Sequence, residues 1–208
     1  MHELVDAMIA STVLRSPDII DAFRVVDRKY FVPDAWRDET YIDNALPIGH
    51  SQTISQPSTV AFMLEKLSPQ KGDRVLDIGS GSGWTTALLC HIVGAEGSVT
   101  GVERVSDLVE QGQQNLSKFD FDHGSIKQAS QKLGMPGEKF DRILVSAAAD
   151  EIPGELFSQL KIGGILVIPI ENSIYKFTKV SDAEITTEEF YGFIFVPLIY
   201  LTDLLDST

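Results

Sequence analysis

Three glycines at 79, 81 and 83, separated by Ser80 and Ser82 and preceded by Asp77, are the residues of this 208-residue chain best suited to hold a ligand. Glycines at alternate positions let the main chain take positive φ and approach a ligand without Cβ atoms in the way. A helix starting directly behind them adds unpaired N–H groups. Glu103 follows 20 residues beyond Gly83. At the end of a second strand, such a carboxylate can accept hydrogen bonds from both hydroxyls of a ribose and so orient a nucleoside. Gln52, Thr53 and Ser55 bring an amide and two hydroxyls together within residues 46–57. On spacing alone Ser55 could equally be a helix cap, because Gln56, Pro57 and a run of apolar residues follow it.

The glycine spacing narrows the ligand. A dinucleotide fold wants glycine at the first, third and sixth positions, and the sixth position counted from Gly79 is Trp84. A triphosphate-binding loop wants Gly-Lys-Ser or Gly-Lys-Thr, which does not follow here. Asp77 would repel a pyrophosphate and favour the ammonium of an amino acid. A nucleoside carrying an amino acid, S-adenosylmethionine, meets both demands.

These residues need a sheet to position them. Val75, Leu76 and Ile78 read as a buried strand that runs into the glycines, with a helix over residues 85–93 behind. Further strands are expected at 98–103, 125–130, 139–147, 165–170, 174–180 and 190–198, with helices around Leu108 to Leu116 and over 153–160. Gly163 and Gly164 read as a turn between the last of these helices and the strand at 165–170. Residues 1–32 read as two helices, the second capped by Ser16 ahead of Pro17, and residues 33–54 as a long irregular cover. Alternating strands and helices imply an α/β, doubly wound, mostly parallel seven-stranded Rossmann-like sheet, with an N-terminal helical segment and antiparallel C-terminal strands. No linker divides the chain, so a single domain over 1–208 is expected, with 1–56 as helices and cover and 57–208 as the core.

Composition bounds the partners. A content of 43% hydrophobic and 23% charged residues is ordinary for a globular protein, and a net charge of −13 argues against nucleic acid. Cys90, the single cysteine, falls in an apolar helical pattern and reads as a buried hydrophobe. His2, His50, His91 and His123 show no metal-ligand spacing, so no metal is expected. Neither a leader nor an apolar run of roughly 20 residues is visible, so a cytoplasmic protein without a membrane segment is expected.

Beyond the glycine motif, the chain resembles the protein-L-isoaspartate (D-aspartate) O-methyltransferase family. The resemblance is carried by Asp43-Asn-Ala-Leu-Pro-Ile-Gly49 running into Gln52-Thr-Ile-Ser-Gln-Pro57, by Val75-Leu-Asp-Ile-Gly-Ser-Gly-Ser-Gly83, and by Phe140-Asp-Arg-Ile-Leu-Val145. Gln159-Leu-Lys-Ile-Gly-Gly164 and Phe195-Val-Pro-Leu198 continue it over most of the chain. It implies methyl transfer from S-adenosylmethionine to the free α-carboxylate of isoaspartyl and D-aspartyl residues in damaged proteins; a monomer is expected. Gln52, Thr53, Ile54 and Ser55 would close over the cofactor, with Ser55 as the active-site serine. Asp77, Gly79, Ser80, Gly81 and Gly83 would hold the methionine part and Glu103 the ribose. The family usually has Gly-Asp at the end of the third strand, where the aspartate meets the adenine amino group. This chain has Ala129-Ser130, and a serine hydroxyl accepts without the strengthening charge. Ser51 also replaces a glycine common in the family. The departures leave open a methyltransferase with another acceptor, and a rival of a different class is a non-catalytic module that binds isoaspartyl chains or the nucleoside.

Overall fold

The computed structural model describes residues 1–199. Helices α1 (His2–Ala10) and α2 (Pro17–Val25) open the chain, with Leu4, Val5, Met8, Ile19 and Phe23 turned into the core. Pro17 presets the first turn of α2, but the Ser16 hydroxyl does not close onto the helix it precedes. It donates instead to Glu65 on α3 (Pro57–Leu67) at 2.7 Å, and the other Glu65 oxygen accepts the N–H groups of Arg15 and Ser16. The expected cap thus ties two helices together.

The expected irregular cover is more ordered than its sequence suggests. After 3₁₀ turns over Asp34–Glu39, strands β1 (Leu46–Gly49) and β2 (Gln52–Ile54) form an antiparallel hairpin in which Leu46 faces Ile54 and Pro47 faces Thr53. Strands of four and three residues, one holding a proline, are too short to show alternation in sequence.

The main sheet is built by β3 (Arg74–Ile78), β4 (Ser98–Glu103), β5 (Gly124–Gln128), β6 (Phe140–Val145), β7 (Leu160–Ile170), β8 (Ser173–Lys179) and β9 (Ile185–Tyr191), in the order β5-β4-β3-β6-β7-β8-β9. Pairing is parallel from β5 to β7 and antiparallel beyond, as expected from sequence. The chain leaves β3 toward β4 and β5, then returns to β6 on the other side of β3. Open α/β sheets bind ligands beyond the strand C-termini at such a reversal. Helices α4 (Trp84–Val93) and α5 (Ser106–Leu116) make the crossovers on one side and share a core with α1, α2 and α3. Leu76, Ile143, Val145 and Leu166 point the other way, where Leu133 and the short α6 (Gly154–Phe157) cover them.

Three expected boundaries are corrected. The helix expected over 153–160 shrinks to α6, because Leu160 already pairs with Phe140. Gly163 and Gly164 do not form a turn ahead of the strand but lie inside β7, where φ of +83° at Gly163 accompanies a shift in register between Phe140 and Arg142. That is a bulge, the other use of glycine in a strand pattern. The last strand is Ile185–Tyr191 rather than residues 190–198: its polar face reads poorly as an edge strand, and the apolar run after it returns as coil. This coil crosses the strand ends, with the Leu198 N–H donating to the Ala148 carbonyl and the Ala148 N–H to Val196.

Among the described residues no helix is long and apolar enough to cross a membrane.

Candidate active site

The end of β3 passes directly into the glycine turn, where Gly79, Gly81 and Gly83 have φ of +79°, +52° and +90°. A Cβ on Gly83 would lie 2.9 Å from Ile126 Cδ1 and 3.1 Å from the Gly112 carbonyl oxygen, so close packing as well as backbone conformation requires glycine. Above the turn lies the β1–β2 hairpin. Ile48 Cδ1 is 3.1 Å from where a Cβ on Gly81 would stand, and His50 at the hairpin tip meets Asp107 in the first turn of α5 at 3.1 Å.

Glu103 ends β4 and is 7% exposed. One carboxylate oxygen accepts the Gly81 N–H at 3.0 Å and the other the Val105 N–H at 2.9 Å. The main chain therefore fixes its plane, while each oxygen keeps a lone pair for a hydroxyl donor.

Three cavities run along the strand ends. The first, with an open volume of about 710 Å³, is lined by Gln52, Gly79, Glu103, Val105, Ser130 and Leu133 among others. Its mixed apolar and polar walls suit a nucleoside. The second holds Thr53, Ile54, Ser55, Ser80, Gly81 and Ser146. The third opens beside it between Ala45, Gln56, Thr59 and the 194–196 coil. Thr53, Ser55 and Ser146 line both the second and the third.

Most of the expected residues are thus brought together; Gly83 lines none of the three cavities, and two others have particular placements. Asp77 lies wholly buried beneath the turn and is not among the residues lining these cavities. Its Oδ2 accepts from the Thr86 hydroxyl at 2.7 Å, and Oδ1, like the buried Ser80 hydroxyl, has no partner among the described residues. Burial pushes the Asp77 carboxyl up to about 7, against the Thr86 hydrogen bond, with the Glu103 charge adding to the rise and the nearby Ser146 hydroxyl holding against it. Ser130 lines the first cavity, but its hydroxyl is engaged in a local turn, donating to the Lys132 carbonyl and accepting the Lys132 N–H.

The family model for protein-L-isoaspartate(D-aspartate) O-methyltransferase matches residues 1–203. This chain belongs to that family. It is 36% identical over 204 residues to the protein-L-isoaspartate O-methyltransferase of Ignicoccus hospitalis, covering 95% of this chain and 96% of that protein. With the enzyme of that name from Aliivibrio salmonicida it shares 41% identity over 201 residues, covering 95% of each. Among solved structures, it is similar to a chain from Plasmodium falciparum assigned as a protein-L-isoaspartate O-methyltransferase in complex with S-adenosyl-L-homocysteine. That likeness has a TM-score of 0.81 and 28% identity, and covers 95% of this chain and 97% of that one.

In this family member the choice left open for Ser55 is resolved by Asp43. Gln56, not Ser55, precedes α3, and the Ser58 N–H at the helix start donates to Asp43 Oδ1 at 2.8 Å. The Ser55 hydroxyl is not needed as a cap. Arg28, read from sequence as part of the N-terminal helical segment, lies fully buried and donates to the carbonyls of Thr40, Asn44 and Ser55. Asp43 and Arg28, which hold the cover, and Ser146, which lines two of the cavities, are the residues that spacing did not reveal. A charged residue ending an apolar N-terminal pattern was the available signal for Arg28. Among the described residues no cluster of three or more His, Cys, Asp or Glu could hold a metal, and burial pushes the Cys90 thiol up to about 12.

Proposed function

We propose that this family member transfers a methyl group from S-adenosylmethionine to the free α-carboxylate of isoaspartyl and D-aspartyl residues in damaged proteins, the step that initiates their repair. The observation that carries this reading is the junction of the second and third cavities at Thr53, Ser55 and Ser146. One cavity is floored by the glycine turn and the other opens beside the cover, so a group held over the turn can meet an acceptor entering from outside.

The residues fit the cofactor. The glycines leave room that a Cβ would fill, Glu103 keeps a lone pair on each oxygen for the ribose hydroxyls, and Val105 and Leu133 give apolar walls for a base. When bound, the cofactor supplies a methyl carbon on a cationic sulfur, which the carboxylate oxygen takes while the carbon–sulfur electron pair stays with sulfur. No proton has to move, since an α-carboxylate is ionised at neutral pH. The chain's task is alignment. Ser55, half-buried at the junction, donates to the acceptor carboxylate and orients it, and Gln52, Thr53 and Ile54 hold the cover across the turn. The hairpin keeps water from the meeting point of opposite charges, where their attraction is then strongest.

Transfer of an isotopic methyl group to an isoaspartyl peptide and to its aspartyl twin tests the reading. Labelling of the isoaspartyl form alone is expected. Equal labelling of both would point to a different acceptor, and binding of neither S-adenosylmethionine nor S-adenosylhomocysteine in a calorimeter would exclude methyl transfer.

A further inference from the structure

We propose that Ser146 is a second hydroxyl donor to the acceptor carboxylate, placed across from Ser55; this rests on the methyl-transfer reading above. Ser146 is the first residue after β6, the strand beside β3 at the reversal of strand order. Its N–H donates to the Ile78 carbonyl at 2.8 Å, and its Cβ lies 3.9 Å from where a Cβ on Gly79 would stand. The main chain therefore pins it against the foot of the glycine turn. Its side chain is half-buried and lines both the cavity over the turn and the acceptor cavity. The Ser146 hydroxyl lies close enough to the buried Asp77 carboxyl to steady it, but Asp77 Oδ2 is taken by Thr86 and no hydrogen bond of good geometry reaches Oδ1, so the hydroxyl stays available to an acceptor.

The acceptor's chemistry calls for such a group. A carboxylate has two oxygens with about four lone-pair sites. When it enters a half-buried junction, one oxygen must face the methyl group, and the other needs donors to replace the water it loses. A single hydroxyl leaves the carboxylate free to rotate about its carbon–carbon bond. Donors on both walls, Ser55 from the cover and Ser146 from the sheet, fix that rotation and aim the attacking oxygen along the line to the turn. Ser146 belongs to the rigid sheet and Ser55 follows the hairpin, so the two meet on one carboxylate when the cover is in place.

The test compares wild type with Ser146→Ala in three measurements: turnover of an isoaspartyl peptide, calorimetric affinity for S-adenosylhomocysteine, and affinity of the peptide for the S-adenosylhomocysteine-loaded protein. Loss of a hydrogen bond to a charged group should lower kcat/KM for the peptide about tenfold or more and weaken peptide binding to the loaded protein in step. Affinity for S-adenosylhomocysteine should stay the same, which also shows that the variant is folded. Unchanged turnover and peptide binding would overturn the proposal, as would a parallel loss of S-adenosylhomocysteine affinity, which would make Ser146 part of the cofactor site. If wild type itself fails to methylate the isoaspartyl peptide, the transfer reading falls. If wild type turns over and Ser146→Ala matches it, only the role of Ser146 falls.

Discussion

The Arg28 guanidinium donates to the Ser55 carbonyl at 3.1 Å while the same side chain holds the carbonyls of Thr40 at 2.7 Å and Asn44 at 2.9 Å. Its guanidinium carbon stands 5.3 Å from the ring of Trp84, the first residue of the helix behind the glycine turn. One buried cation thus gathers three points of the cover and sets them against the turn. Burial pulls its pKa down to about 10, with the Asp43 charge holding against the fall, so it stays protonated at neutral pH.

Replacing Arg28 by Ala should leave those carbonyls without donors and lower the unfolding free energy by roughly 3 kcal/mol or more, as read from urea denaturation. Arg28→Lys keeps the charge but not the planar fork. It should retain S-adenosylhomocysteine binding and lose turnover, because Ser55 is then no longer held. A lysine variant with wild-type turnover would show that the cover is set by other contacts.

The hairpin tip carries strain that one substitution should relieve. His50 and Ser51 have φ of +52° and +57°, the left-handed values of a two-residue hairpin turn, and neither is glycine. Ser51→Gly should raise stability by roughly 0.5–1 kcal/mol, the relief of strain exceeding the entropy that glycine adds to the unfolded chain. Thermal unfolding checks this, and a lower midpoint would refute it.

Asp77 gives the protein a pH dependence with a definite sign. Its folded pKa, about 7, is well above the usual carboxylate value, so the folded state binds the proton more tightly. Its contribution to stability is present below about pH 4 and is lost as pH rises through about 7. Asp77→Asn keeps an acceptor for Thr86 and removes the buried charge, so it should stabilise the ligand-free protein more at pH 8 than at pH 5, by an amount on the order of a few kcal/mol. An equal effect at both values would mean that Asp77 does not titrate in this range.

The glycine turn at the end of β3 and Glu103 at the end of β4 were legible because their placement follows from local spacing. The parallel strands around them were legible for the same reason, through runs such as Arg74–Ile78 that belong to one element. What escaped was set by partners distant in sequence. Arg28 has meaning through carbonyls 12 to 27 residues away, and Ser146 through the pairing of β6 beside β3. Ser55 could not be told from a cap until Asp43, 15 residues before Ser58, was seen to do the capping. β9 was misplaced because an edge strand with polar residues gives a weaker pattern than the apolar coil after it.

At the centre stands the claim that the cover's serine orients the acceptor where the two cavities join. Ser55→Ala, assayed for methyl transfer to an isoaspartyl peptide beside calorimetry with S-adenosylhomocysteine, tests it most directly. The expected result is loss of most transfer with cofactor-product binding intact. Turnover equal to wild type would contradict the claim and remove Ser55 from the mechanism.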